Sequence, residues 1–338
     1  MKFSISKMML MALLLIGQSG IALSDGKVNF GWIPVVAPYE SAFCSGILSQ
    51  ATGYDVSWKK FDSGPAVIAA MASGEVPIAL LGSTPAAAAI SQGLEIDVFW
   101  VVSFIDTGEA LITRRGSEIV GPQDLKGKTL ATPFGSTSHY HLLVALENFG
   151  LSTKDTKVVG MTPPEIAAAW TRGDIDGAYI WDPVLTKLKA DNGTVVIDSG
   201  QLARWGKAIL NVLVVRRDWA SENQEFMTSF VKSVSEMDAA YRETPSSWSA
   251  TSENAKCLEK AEGADPSQVP HILSTFVFPS LEEQATPDWL GGNEDGRVSE
   301  WLRLTAEFLK AQNKISEVLP DYSVGVTDEW VKAAANQK

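Results

Sequence analysis

Asp124–Asn148, DLKGKTLATPFGSTSHYHLLVALEN, reads as a strand that ends in a hydroxyl-rich turn and passes at once into a helix. Thr129–Pro133 has the character of a buried strand. Gly135 supplies a flexible backbone, Ser136, Thr137 and Ser138 offer capping hydroxyls, and His141–Asn148 carries an apolar helical pattern. A helix start leaves N–H groups without intrahelical acceptors and bears a partial positive charge, so the junction is a ready anion site. Val76–Leu81 repeats the arrangement, running into Gly82-Ser83-Thr84-Pro85 and a helical AAAAI segment. Asp62-Ser63-Gly64-Pro65 is a third strand-to-helix turn, with the Ser63 hydroxyl and the Gly64 N–H as donors. Each turn alone is ordinary N-capping; three in one chain point to capture of a small anion.

The rhythm around these turns decides the fold. Strands are expected at Lys27–Ile33, Tyr54–Phe61, Val76–Leu81 and Ile96–Ser103, with helices at Glu40–Ala51, Gly64–Ser73 and Ala86–Gly93. The strand rhythm resumes at Thr129–Pro133, Val158–Met161, Ala178–Ile180, Val195–Asp198 and Val212–Val215. Alternation of this length implies an α/β fold with covered sheets. From Asn223 onward the chain turns helical, over Asn223–Arg242, Ser252–Glu262 and Arg297–Gln312. The expected parse is two α/β lobes, 25–105 plus 214–338 and 106–213, with chain crossings near Ile105–Glu109 and Asn211–Val215 acting as the hinge.

Residues 1–24 are expected to be a signal peptide: Lys2 and Lys7, an apolar Met8–Ile16, and small residues at Ala22-Leu23-Ser24. The apolar core is too short for a membrane anchor. Losing Lys2 and Lys7, with no acid in that segment, takes the formal charge from −12 to −14. So acidic a chain is a poor partner for nucleic acid or anionic membrane. An anionic ligand must then be held by local donors, and none of the three turns contains Lys or Arg. Helix starts of roughly half a charge each suit a singly charged sulfonate, spread over its oxygens, better than a doubly charged phosphate.

Signals for catalysis are missing. The chain has no GxSxG elbow, no HExxH and no paired-cysteine metal pattern. Gly121 to Gly127-Lys128-Thr129 resembles a phosphate-binding loop but has the wrong spacing and precedes a strand. His139 and His141 stand two apart on a helix start and splay, so no metal is expected. Cys44 and Cys257 lie too far apart in sequence to establish proximity; two buried free thiols are the plainer reading, and a disulfide stays open. Acids do occur near the crossings, at Asp106, Glu109 and Asp182, and a carboxylate in a partly desolvated cleft needs a cationic partner. Trp32, Tyr39 and Trp181 are expected to wall the pocket and add cation–π attraction. An anion site at one end and a cation site at the other describe a small zwitterion.

Three segments carry a family resemblance: WKKFDSGPAVIAAMASGEVPIALLGSTPAAAA, DLKGKTLATPFGSTSHYHLLVAL and PPEIAAAWTRGDIDGAYIWDP. They closely resemble the periplasmic taurine-binding proteins of ABC transporters, within a wider family that binds sulfonates, nitrate and thiamine precursors. The resemblance runs from about Val28 to Asp218. It implies a type II periplasmic binding protein fold, capture of ligand by lobe closure, and delivery to an ABC permease and its ATPase, with no cofactor and no chemistry on the ligand. A monomer that binds no nucleic acid is expected. The family's sulfonate donors match Ser63, Gly64, Ser83, Thr84, Ser136 and Thr137, and Glu109 matches an acid near the taurine ammonium. One departure stands out: ILNVLVV places Asn211 where the resembling taurine binders carry an Asp, so the ammonium is expected to rely on Glu109, with Asp182 or Asp106 as candidates to compensate. Isethionate, an alkanesulfonate or a quaternary ammonium compound are therefore alternative ligands. An enzyme of the thiamine-pyrimidine synthesis type, which shares the fold, is the alternative of a different class.

Overall fold

A computed structural model describes residues 26–337; the expected signal peptide lies outside them. Among the described residues eleven strands form two sheets. The larger contains β1 (Lys27–Trp32), β2 (Asp55–Lys60), β3 (Ile78–Gly82) and β4 (Ile96–Ile105). The smaller contains β5 (Glu109–Thr113), β6 (Thr129–Thr132), β7 (Lys157–Gly160), β8 (Gly177–Trp181) and β9 (Thr194–Asp198). The chain then returns to the larger sheet as β10 (Leu210–Arg216) and, much later, β11 (Phe276–Val277). The orders are β11-β4-β10-β3-β1-β2 and β7-β6-β8-β5-β9.

In each sheet the α/β-type strands run parallel, β1 with β2 and β3, and β6 with β7 and β8. The crossing strands run antiparallel to their neighbours, β10 to both β3 and β4, and β5 to both β8 and β9. β10 is buried from Leu210 to Val215 and sits in the middle of the larger sheet. The expected crossing at Asn211–Val215 and the expected boundary between 213 and 214 therefore both fall within β10. Asn211 belongs to the sheet, where one of two register shifts between β10 and β4 follows it.

Helices cover the strands. The expected helix over Glu40–Ala51 is broken into a 3-10 turn at Pro38–Glu40, α1 (Ser41–Cys44) and α2 (Ile47–Thr52), because Gly46 takes φ +72°. α3 (Gly64–Ala72) and α4 (Ser83–Ser91) follow β2 and β3. α5 (Thr137–Asn148), α6 (Pro163–Arg172), α7 (Val184–Ala190) and α8 (Ser199–Arg204) belong to the second lobe. The helical tail comprises α9 (Arg217–Glu222), α10 (Gln224–Glu243), α11 (Glu253–Glu262), α12 (Val269–Leu273), α13 (Leu281–Gln284), α14 (Arg297–Ala311) and α15 (Glu329–Asn336). It packs back on the first lobe, with α10 against α2 and α15, and α14 against α4.

Contact between α1 and α11 joins Cys44 to Cys257 in a disulfide, with Cα atoms 5.9 Å apart. This overturns the free-thiol reading: tertiary packing, invisible in spacing, closes a separation of 213 residues. Among the described residues no helix is long and apolar enough to cross a membrane.

Candidate binding site

The three helix starts meet at one small cavity between the lobes. Gly64, Gly82 and Pro85 line it from the first lobe, Ser136 and Thr137 from the second. Glu109, Trp181 and Asn211 supply the rest of its polar and aromatic wall, and Ile33, Val35, Ile105 and Phe276 make it apolar. No lining residue is basic. The sheets bring these groups together by register: Glu109 stands opposite Trp181 across β5 and β8, and Asn211 opposite Gly82 across β10 and β3. The free volume is about 20 Å³, room for roughly one water. Direct contacts join the two sides of the cavity, among them Trp181 to Pro34.

The lobes also approach each other closely at two glycines. A Cβ at Gly82 would lie 2.7 Å from Thr137 Cγ2, and one at Gly135 would lie 2.7 Å from Pro65 Cγ. Trp181 Nε1 donates to the Pro34 carbonyl at 2.9 Å, spanning from the second lobe to the loop after β1.

The start of α5 is built by its own hydroxyls. Ser136 accepts from the His139 N–H at 3.2 Å and donates to the Pro133 carbonyl at 2.6 Å. Thr137 Oγ1 donates to Glu109 Oε1 at 3.0 Å, and Ser138 Oγ donates to the same oxygen. Glu109 therefore does not face this turn from across the cleft; it is hydrogen-bonded to it. The hydroxyl of Thr137, expected on the anion, is taken up by the carboxyl, while helix geometry leaves the Thr137 and Ser138 N–H groups without intrahelical acceptors. Burial raises the Glu109 pKa to about 7, against the pull of the Ser138 and Thr137 hydrogen bonds.

The remaining expected donors are spread out. Ser63 caps α3, accepting from Ala66 N–H at 3.4 Å, and leaves Gly64 as the lining residue of that turn. Ser83 Oγ accepts the Leu210 N–H at 3.1 Å and so ties α4 to the crossing strand. Thr84 Oγ1 is buried with no hydrogen-bond partner among the described residues, but Thr84 does not line the cavity. Asn211 Nδ2 donates to Ser103 Oγ at 3.0 Å.

Besides Ser63, Ser83 and Thr84, four more expected residues lie outside the cavity lining. Asp182 is buried and caps α7: one oxygen accepts the Thr186 N–H at 2.8 Å and its hydroxyl at 2.5 Å. Asp106 stands against α8, where a Cβ on Gly200 would meet its Oδ1, and its carbonyl accepts the Gly200 N–H at 2.9 Å. Trp32 packs edge-on against Trp58, with the Lys60 ammonium 5.0 Å from its ring centroid. Tyr39 is buried beside Glu40, Glu262 and Asp238, with its pKa raised by burial and then by these acids. Of the three expected aromatic residues only Trp181 lines the cavity. Both helical histidines have local partners. His139 accepts from the Gly135 N–H at 3.2 Å, and His141 bridges Ser199 Oγ at 2.8 Å and the Lys207 carbonyl at 2.7 Å. Among the described residues no group of three or more His, Cys, Asp or Glu could hold a metal.

Sequence reasoning missed Ser138 and the apolar walls. Ser138 was visible as the third hydroxyl of the turn. Phe276 had no signal, because a two-residue strand has no periodicity.

The chain is similar to known proteins in sequence and in fold. Residues 22–257 match the NMT1-like family. The taurine-binding periplasmic protein of Escherichia coli K12 is 38% identical over 295 residues, covering 87% of this chain and 89% of that protein. The periplasmic aliphatic sulphonate-binding protein of Escherichia coli superposes with a TM-score of 0.70 at 21% identity, over 90% of this chain and 92% of its own. The alkanesulfonate-binding protein of Xanthomonas axonopodis pv. citri, solved with MOPS bound, gives 0.70 at 21%, over 88% and 97%. At that identity the two structures speak for the fold alone. On the family match and the Escherichia coli relative, the chain belongs to the NMT1-like family, built on the two-lobed fold of the periplasmic binding proteins.

Proposed function

We propose that this protein is a periplasmic receptor that captures taurine between its lobes and delivers it to an ABC importer, performing no chemistry on the ligand. The observation that carries the reading is the buried Glu109 carboxyl, held by Thr137 and Ser138 in a cavity with no basic residue. An ammonium group is the partner that such a carboxyl lacks. The helix starts at Gly64 and Thr137 are the donors left for the sulfonate. The taurine-binding relative supports the ligand class. The expected signal peptide supports the compartment.

The ligand enters an open form, and closure of the two lobes then buries it. Calorimetric titration with taurine, isethionate, an alkanesulfonate and nitrate tests the reading. Taurine should bind most tightly; no heat with any sulfonate would remove the assignment.

A second reading, a receptor for a short sulfonate without an ammonium, is favoured by one observation. Asn211 lines the cavity as a neutral amide where the resembling taurine binders carry an acid. Asn211→Asp separates the two. Ser103 can turn its hydroxyl to donate to the new carboxylate, so the local bond survives. Taurine should then bind about one decade tighter, with isethionate weakened.

A further inference from the structure

We propose that Phe276 is the specificity-determining wall of the cavity, restricting it to short sulfonates with an unsubstituted amine. The proposal rests on the sulfonate-receptor reading and adds which sulfonates are refused.

The Phe276 ring lines the cavity, and its placement is fixed from several directions. β11 is two residues long, yet it pairs antiparallel with the end of β4, setting Phe276 opposite Ile105 and Val277 opposite Phe104. Successive residues of a strand point to opposite faces. Accordingly Val277 is half exposed while Phe276 is buried. The ring then lies on the backbone of the first crossing: a Cβ on Gly108 would fall 2.5 Å from Phe276 Cζ and 2.8 Å from Cε1. Only a glycine lets the ring come so near the chain. Thr275 holds the approach from behind, donating its hydroxyl to the Ile272 carbonyl at 2.6 Å.

Gly108 immediately precedes Glu109, so the ring stands at the carboxyl end of the cavity, where the amine of the ligand would lie. A rigid aromatic wall there sets how much chain or substituent can follow the sulfonate. A longer alkyl chain, or a ring carried on the nitrogen, meets Phe276 before Glu109 is reached. Ile105 ends β4, which is paired on both sides, by β10 and by β11, and so holds its place behind the ring.

The test titrates the wild type, Phe276→Leu and Phe276→Ala with taurine, hexanesulfonate and MOPS, with thermal melting to check each fold. An added or missing methylene in an apolar pocket is worth about 10–200-fold. The wild type should bind taurine and refuse MOPS. Phe276→Ala should weaken taurine about tenfold and gain about tenfold for the two larger sulfonates, moving the ratio about a hundredfold. Phe276→Leu should move it part of the way and covers the case in which the alanine variant does not fold. Wild-type binding of taurine with an unchanged ratio in the variants would overturn the role of Phe276 and leave the receptor reading standing. Tight binding of MOPS by the wild type would do the same. No binding of any sulfonate by the wild type would overturn both.

Discussion

Glu109 sets the pH response of the cavity, because it is buried and its hydrogen-bond partners are the hydroxyls of Thr137 and Ser138. Its raised pKa means that folding favours the protonated form. The stability this lends is fully present below the ordinary glutamate range and is lost as pH climbs through about 7. Binding of an ammonium ligand runs the other way, since it requires the carboxylate. Taurine affinity should therefore rise as pH passes through about 7, with a proton released on binding. Calorimetry in buffers of different ionisation heat measures that proton. Glu109→Gln should abolish the release and weaken taurine by about one to two decades, leaving isethionate nearly unchanged. Equal losses for both ligands would refute the ammonium role. The neighbours of Glu109 show what a sequence can and cannot disclose at this scale. Thr137, Ser136 and Asn211 were legible because polar residues at turns and within apolar strands stand out. Ile33, Val35 and Phe276 were not, since an apolar wall residue looks like any core residue until the fold places it.

Each helix start that lines the cavity has to be stable before a ligand arrives, and α5 shows how this is arranged. Ser136 satisfies the His139 N–H and the Pro133 carbonyl at once, fixing both the helix and the turn that enters it. Ser136→Ala should cost about 1 kcal/mol of stability without any ligand, read as a lower melting temperature. A melting temperature equal to the wild type would show that the cap is not what orders the turn. Elements of this kind were readable because capping chemistry and apolar periodicity agree. The misread elements have local physical causes. Gly46 in a left-handed conformation splits the expected helix over Glu40–Ala51. Pro77 has no N–H to give a ladder, and β3 accordingly begins at Ile78. The disulfide between α1 and α11 depends on packing across the first lobe, and sequence separation carries no trace of it.

Closure of the whole molecule depends on how nearly the two lobes can approach, and Gly82 is a cavity residue at which that approach is close. It ends β3 in the first lobe with an ordinary extended backbone, so alanine is conformationally acceptable there. The added Cβ, however, would meet Thr137 Cγ2 of the second lobe at 2.7 Å. Thr137 cannot swing aside freely, because its hydroxyl is bonded to Glu109. Overpacking of this kind costs about 1–3 kcal/mol, and here it falls on the closed form while the open form is relieved of it. Gly82→Ala should therefore weaken every sulfonate alike, by about one to two decades, whereas Glu109→Gln discriminates between ligands. The free protein should melt near the wild-type temperature, since neither lobe's own core is altered. Small-angle scattering should show the wild type contracting on addition of taurine and the variant contracting only at higher ligand concentration. Wild-type affinity in Gly82→Ala would mean that the lobes close along a path that does not bring Gly82 to Thr137. The Trp181 hydrogen bond to Pro34 would then be left as the contact that governs closure.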